Sequence, residues 1–129
     1  MANYTFDHLH LRTADPEAMA AWFEKNLGAQ VSRSQQGATT RIDLKLGGAE
    51  IFLAPVAPDS GVNPPPVTPY RGLDHFGLAV TDLDGVAADL KKKGVEFTME
   101  PNNFRPGIRI CFIRGPEGIS IELLERNAN

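Results

Sequence analysis

Asp7-His8-Leu9-His10-Leu11 and Asp74-His75-Phe76-Gly77-Leu78 are one local pattern written twice, with the leading histidines 75 − 8 = 67 residues apart in a chain of 129. The repeat extends outward from both copies. Asp15-Pro16-Glu17 opens a helical pattern seven residues after His8, and Asp82-Leu83-Asp84 opens another seven residues after His75. Arg41–Gly47 is echoed by Arg109–Gly115, and each is followed by a second apolar stretch, Ala49–Ala54 and Ile119–Glu125. Four landmarks recur in one order, so the chain reads as two copies of one unit. Histidines at equivalent places in a duplicated fold are able to face each other across one cavity, which suits a shared metal ion.

Local signals give each unit its elements. Phe6–Thr13 alternates Phe6, His8, His10 and Arg12 with Asp7, Leu9, Leu11 and Thr13. Period two means a strand with a polar face and a leucine face. Asp15 suits an N-cap, Pro16 the first helical position and Glu17 the positive end of the dipole. Met19, Trp22, Phe23 and Leu27 then form an apolar stripe that Gly28 ends. The stripe is expected to pack on the Leu9/Leu11 face. Arg41–Leu46 and Ala49–Ala54 flank Gly47-Gly48, a hairpin signal. In the second copy Asp74–Val80 is a strand. Asp82 caps a helix carrying Leu83, Val86, Ala87 and Leu90, and Gly94 ends it. Ile108–Arg114 and Ile119–Glu125 form a hairpin across residues 115–118. Val95–Met99 is expected to be an extra strand, with Val31–Ser34 its weaker counterpart. Six prolines between Pro55 and Pro69 exclude a central strand or helix interior there. The expected organisation is one domain over 1–129, made of a module at 1–55, a Pro-rich linker at 56–70 that is long enough to border a site, and a module at 71–129.

Composition bounds the partners. A net charge of −3 supplies no basic field for nucleic acid. The single cysteine, Cys111, excludes an internal disulfide and is expected to be buried packing. Met1-Ala2-Asn3-Tyr4 has neither the charge nor the apolar run of a leader, and no stretch approaches the roughly 20 apolar residues of a membrane span. A soluble cytoplasmic protein is the expectation.

Four residues lead the list of candidates for chemistry. A lone strand histidine is more often structural than functional, but repetition reverses those odds for His8 and His75. Glu122 sits in Ile119-Ser120-Ile121-Glu122-Leu123-Leu124-Glu125, where a carboxylate among apolar neighbours is costly unless paired or bound to a cation. An edge-strand charge is the alternative for it. Glu50 holds a similar place in Gly48-Ala49-Glu50-Ile51-Phe52-Leu53, with a solvated role equally open. An alignment without extra gaps sets Phe52, not Glu50, opposite Glu122. A two-residue slip brings Glu50 there and keeps it on the same face. Two imidazoles and two carboxylates suit one divalent ion such as Zn, Ni, Co, Mn or Fe. His10 shares the face of His8, as a substrate contact or simply as cavity lining.

The two-fold βαβββ plan, the first-strand histidines and the Ile-Glu-Leu-Leu-Glu ending resemble the vicinal oxygen chelate superfamily, which includes glyoxalase I, extradiol dioxygenases and bleomycin resistance proteins. The resemblance covers nearly the whole chain, through Asp15-Pro16-Glu17, Trp22-Phe23, Asn26-Leu27-Gly28 and Gly115-Pro116-Glu117-Gly118. It implies an α+β fold: two tandem βαβββ modules forming a curved, partly closed mixed sheet around a metal cavity, helices outside. It implies His8, Glu50, His75 and Glu122 as metal ligands, with Glu122 or Glu50 as the catalytic base. Arg12 sits where glyoxalase I has a glutathione-contacting arginine. Ala54 stands where that enzyme has a glutathione-binding asparagine, which weakens the case for glutathione. Arg12, Arg41 and Arg109 are candidates to hold a substrate carboxylate. Arg41 and Arg109 look repeat-equivalent, which favours a structural role for at least one.

The activity so implied is a metal-dependent isomerase or lyase that chelates neighbouring oxygens of a small substrate and shuttles a proton. The alternatives are an Fe(II)-dependent extradiol-type dioxygenase, using His8, His75 and Glu122 alone, and a non-enzymatic drug- or metabolite-binding protein. A homodimer is expected, with no nucleic acid or membrane partner.

Overall fold

A computed structural model describes residues 3–127 of the chain. Met1 and Ala2, on which the reading of the N-terminus partly rests, lie outside them. The chain divides into two compact units, Met1–Asn63 and Pro64–Asn129. Each is a four-stranded mixed sheet with one helix, so the fold is α+β and the βαβββ plan holds in both copies.

The first unit runs β1 (His8–Thr13), α1 (Pro16–Leu27), β2 (Gln30–Gln36), β3 (Thr39–Leu46) and β4 (Ala49–Pro55). Its sheet order is β1-β4-β3-β2, with β1 parallel to β4 and the rest antiparallel. The Asp15 carboxylate accepts from the Ala18 N–H at 3.0 Å, one of the donors that a helix start leaves unpaired. Gly28 ends the helix in the left-handed region at φ 72°. Gly47 and Gly48, at φ 58° and 84°, make the β3–β4 turn, which needs two left-handed residues. Met19, Ala20 and Phe23 of α1 are buried with Ile42, Leu44, Leu46, Ile51 and Leu53. Leu9 and Leu11 are half-buried and α1 also contacts β1, as the alternation in that strand predicts.

The second unit runs β5 (Phe76–Ala79), α2 (Leu83–Lys92), β6 (Glu96–Arg105), β7 (Ile108–Arg114), a 3₁₀ turn at Pro116–Gly118 and β8 (Ser120–Arg126). Its sheet order, β5-β8-β7-β6, matches the first. Leu83, Ala87 and Leu90 of α2 are buried, as are Cys111, Ile113, Ile121 and Leu123. The start of α2 is held twice: Asp82 accepts from the Gly85 N–H at 3.2 Å, and Glu125 of β8 accepts from the Leu83 N–H at 2.8 Å.

Alternation therefore divides every central strand. One face packs on the helix and holds most of the core. The other carries the polar and aromatic residues of interest. The second and sixth strands are longer than their sequence signals, because both are polar sheet edges whose hydrogen bonds are made on one side only. Among the described residues, no helix is long and apolar enough to cross a membrane.

Candidate functional site

In the first unit, His8, His10 and Arg12 of β1 lie level with Glu50, Phe52 and Ala54 of β4. Asp43 and Lys45 of β3 lie level with Phe52 and Glu50. All are on the face away from α1. Nδ1 of His8 donates to the Asp7 carboxylate at 2.7 Å, and its ring stacks on Phe52 with centroids 4.1 Å apart. The His10 ring is 6.3 Å from that of His8. Arg41 is held by Asp43 at 3.0 Å, and its guanidinium lies 4.5 Å from the Phe52 ring centre. Glu50 faces the same side as His8, but its carboxylate pairs with Lys45 at 3.5 Å and is 40% exposed.

In the second unit, His75 lies one residue before β5, and Glu122 lies in the interior strand β8, level with Gly77 and with Phe112 of β7. The sequence predicted the interior setting of Glu122, and its side chain is only 19% exposed. The Nε2 of His75 is 3.1 Å from Oε1 of Glu122, and its Nδ1 is 2.8 Å from the Asp74 carboxylate. Asp74 is itself anchored, accepting from the Tyr70 N–H at 3.2 Å. The Phe112 ring meets the His75 imidazole edge-on at 4.8 Å. The Asp74 carboxylate raises the His75 pKa above its ordinary value, partial burial opposes this, and Glu122 adds to the rise. The imidazole in turn lowers the pKa of Asp74.

One sequence equivalence needs correction, and one open alignment is decided. Phe52 is paired with Asp43, and Glu122 with Phe112, so the ladder offsets the copies by 69 residues in one strand and 70 in the next. Arg41 then corresponds to Ile110, and Arg109 is not its counterpart. A single-residue offset changes the face. Arg109 accordingly lies on the helix side, bound to Asp84 of α2 at 2.5 Å and to Asn103 at 2.7 Å, away from His75 and Glu122. The same register makes Phe52 the counterpart of Glu122. Glu50 stands two residues earlier, level with His8 itself.

Sequence reasoning missed Phe52 as the partner of His8, and it gave Asp7 and Asp74 no role. The signal for the two aspartates was present: an acid directly precedes the histidine in both copies.

The spacing of the two donors in the second unit is compatible with one divalent ion as well as with the hydrogen bond they form. Two donors about 2.1 Å from one ion, at ligand angles of about 90–110°, stand roughly 3.0–3.4 Å apart. The Nε2-to-Oε1 separation of 3.1 Å falls in that range. Holding the far ring nitrogen by a carboxylate is the usual support for a ligating imidazole. Among the described residues the donors come in pairs, and no group of three or more His, Cys, Asp or Glu is gathered for a metal.

A family model described as the Glyoxalase/Bleomycin resistance protein/Dioxygenase superfamily matches residues 5–123. The chain belongs to that superfamily. It is 41% identical over 56 residues to a probable chloroplastic lactoylglutathione lyase of Arabidopsis thaliana, a match that takes in 43% of this chain. The matched stretch is 16% of that relative's length. The fold is similar to a glyoxalase family protein from Bacillus cereus, with 19% identity, 99% of each chain covered and a TM-score of 0.79. It is also similar to a glyoxalase/bleomycin resistance protein/dioxygenase domain from Frankia, with 24% identity, 97% of this chain and 93% of that one covered, and a TM-score of 0.74.

Proposed function

We propose that the protein is a metal-dependent lyase or isomerase of the glyoxalase type, acting on a small substrate with two neighbouring oxygens. The observation that carries this reading is the His75–Glu122 pair, a nitrogen and an oxygen donor at 3.1 Å with the far side of the ring held by Asp74. His8, His75 and Glu122 are the proposed ligands, with Glu50 as the fourth, and the ion is one of Zn, Ni, Co, Mn or Fe. When bound, such an ion supplies Lewis acidity toward a substrate carbonyl. Glu122 would then move the proton: its carboxylate takes it from the hydroxyl-bearing carbon beside the carbonyl and returns it to the carbonyl carbon, while the hydroxyl proton passes to the former carbonyl oxygen. Arg12, on the same face as His8, forms no hydrogen bond or ion pair among the described side chains, which supports its proposed role of gripping a substrate carboxylate. His10 lines the approach. Arg41, tied to Asp43 and Phe52, shapes that face of the first unit. The likeness to a lactoylglutathione lyase supports lyase chemistry, while Ala54 argues against glutathione itself. A cytoplasmic homodimer belongs to the same reading.

Elemental analysis tests the proposal, on protein purified without chelators or a metal-affinity tag. One equivalent of a divalent metal is expected in the native protein and a large loss in His75→Ala. Equal content in the two would overturn it.

A second reading has its own support. Glu50 is engaged by Lys45, and Phe52 occupies the ladder position that corresponds to Glu122. Two histidines and one carboxylate then remain, the ligand set of a non-haem Fe(II) dioxygenase. Screening 2-oxoaldehyde adducts, acyl-CoA thioesters and catechols separates the two, since only the dioxygenase consumes oxygen as it turns over.

A further inference from the structure

We infer that Asp7 and Asp74 are positioning residues that set the tautomer of His8 and His75, so that each unit presents a bare Nε2 as its ligating atom. The inference deepens the metal-dependent reading above and rests on it for its purpose, though not for its test.

The geometry is the same in both units. Nδ1 of His8 is 2.7 Å from the Asp7 carboxylate, and Nδ1 of His75 is 2.8 Å from the Asp74 carboxylate. A carboxylate has no proton to give at neutral pH, so the ring nitrogen facing it must be the N–H donor. In His8 that is Nδ1 alone; in His75 both nitrogens face a carboxylate, so the protonated ring donates to both, and once it is neutral the shorter contact to the braced Asp74, 2.8 Å against 3.1 Å to Glu122, keeps the N–H at Nδ1. In a neutral imidazole the other nitrogen, Nε2, then carries the lone pair. Metal binding needs that lone pair on the side where the oxygen donor stands. For His75 this is the side of Glu122.

The acid comes directly before the histidine in the chain in both copies, so neither contact depends on long-range packing. Other features of the two sites have diverged. The ring neighbour is a stacked Phe52 in one and an edge-on Phe112 in the other. The aspartate–histidine contact is what the two copies share.

The two contacts differ in strength. Asp74 is 33% exposed and is braced by the Tyr70 N–H, whereas Asp7 is 84% exposed and, among the described residues, bonds only to His8. A braced, less hydrated carboxylate loses less freedom on bonding, so Asp74 should hold its histidine more firmly.

The test uses the full chain and two readouts. The first is the ring ¹⁵N chemical shifts of His8 and His75 in metal-free protein, taken at rising pH until the rings are neutral. Protonated Nδ1 and bare Nε2 are expected in the wild type. Asp74→Ala and Asp7→Ala should each release their own ring toward the Nε2–H form, and only their own. Asp74→Asn should keep the wild-type tautomer, since its amide oxygen still accepts. The second readout is Co(II) affinity by calorimetry, expected to fall about 10–100-fold in Asp74→Ala and less in Asp7→Ala. Thermal melts of each variant check folding; Asp7→Ala is expected to melt like the wild type, because among the described residues that side chain is exposed and its hydrogen bond is to His8. A wild-type ring with its proton on Nε2, or rings indifferent to both alanine changes, would overturn the inference. Wild-type protein with the expected tautomers but no affinity for Co(II) would instead overturn the metal reading and leave the positioning role standing.

Discussion

Phe52 of β4 and Glu122 of β8 hold one and the same position in the two copies of the fold. Phe52 lies level with His10, two residues past His8, and Glu122 lies level with Gly77, two residues past His75. One copy meets its histidine with a stacked aromatic ring and the other with a carboxylate 3.1 Å away. The halves have therefore kept a common scaffold and differ in what meets the histidine on it.

Replacing Phe52 by glutamate gives His8 the partner that His75 already has. Phe52→Glu is expected to bind Co(II) more tightly than the wild type. It also removes the stacking on His8 and the cation–π contact with Arg41, at a cost of about 0.5–2 kcal/mol in stability. Calorimetric titration and thermal melting check both effects. Unchanged affinity would show that the two histidines do not serve alike.

The two glutamates should separate cleanly. Glu122→Gln is expected to lose most of the bound metal or, where metal is retained, to cost about 10²–10⁴ in turnover as a lost general base. Glu50→Gln should do less on both counts, because its carboxylate already answers to Lys45. Metal analysis of the two variants side by side decides this, and a larger loss in Glu50→Gln would place the chemistry in the other unit.

Cys111 is fully buried in β7, and burial pushes its thiol pKa up to about 11. The native protein should therefore resist iodoacetamide at pH 8 and react fully once denatured. The thiol stays neutral in the folded state but ionises near its ordinary 9.0 when unfolded. Its stabilising contribution is therefore complete below about pH 9 and is lost as the pH rises to about 11. Denaturant melts of the wild type and Cys111→Ala across pH 8–11 should converge. A constant gap between them over that range would contradict the assignment.

Asp15→Ala removes the cap on α1. A loss of about 1 kcal/mol is expected, which is roughly 3–5 °C in Tm for a chain of this size. Asp15→Asn should restore most of it, since an amide oxygen still accepts from the Ala18 N–H.

Much of this architecture was legible in the sequence because its signals are local. Asp15-Pro16 and Gly28 bracket α1, Gly47-Gly48 makes its turn, and Leu9/Leu11 alternate against His8/His10. The extent of β2 was not legible, because Gln30–Gln36 is a nearly all-polar edge strand without an apolar alternation to count. β6 hides for a second reason. Pro101 interrupts its pattern, and the strand tolerates it only because it is an edge with irregular pairing to β7. Among the candidate residues, His8, His75 and Glu122 stood out by repetition and by apolar neighbours. The face of Arg109 did not, because it depends on an offset of 69 against 70 residues, set by turn lengths that become visible only once the strands are paired.

Each central strand is two interleaved texts. In β8, Ile121 and Leu123 are 0% and 1% exposed and answer to α2, while Glu122 between them answers to His75. A lineage built on this plan is free to rewrite alternate letters for a new ligand and leave the remaining letters, and hence the fold, untouched. Deep mutational scanning of β4 and β8 should accordingly show selection for stability and selection for chemistry switching at every residue.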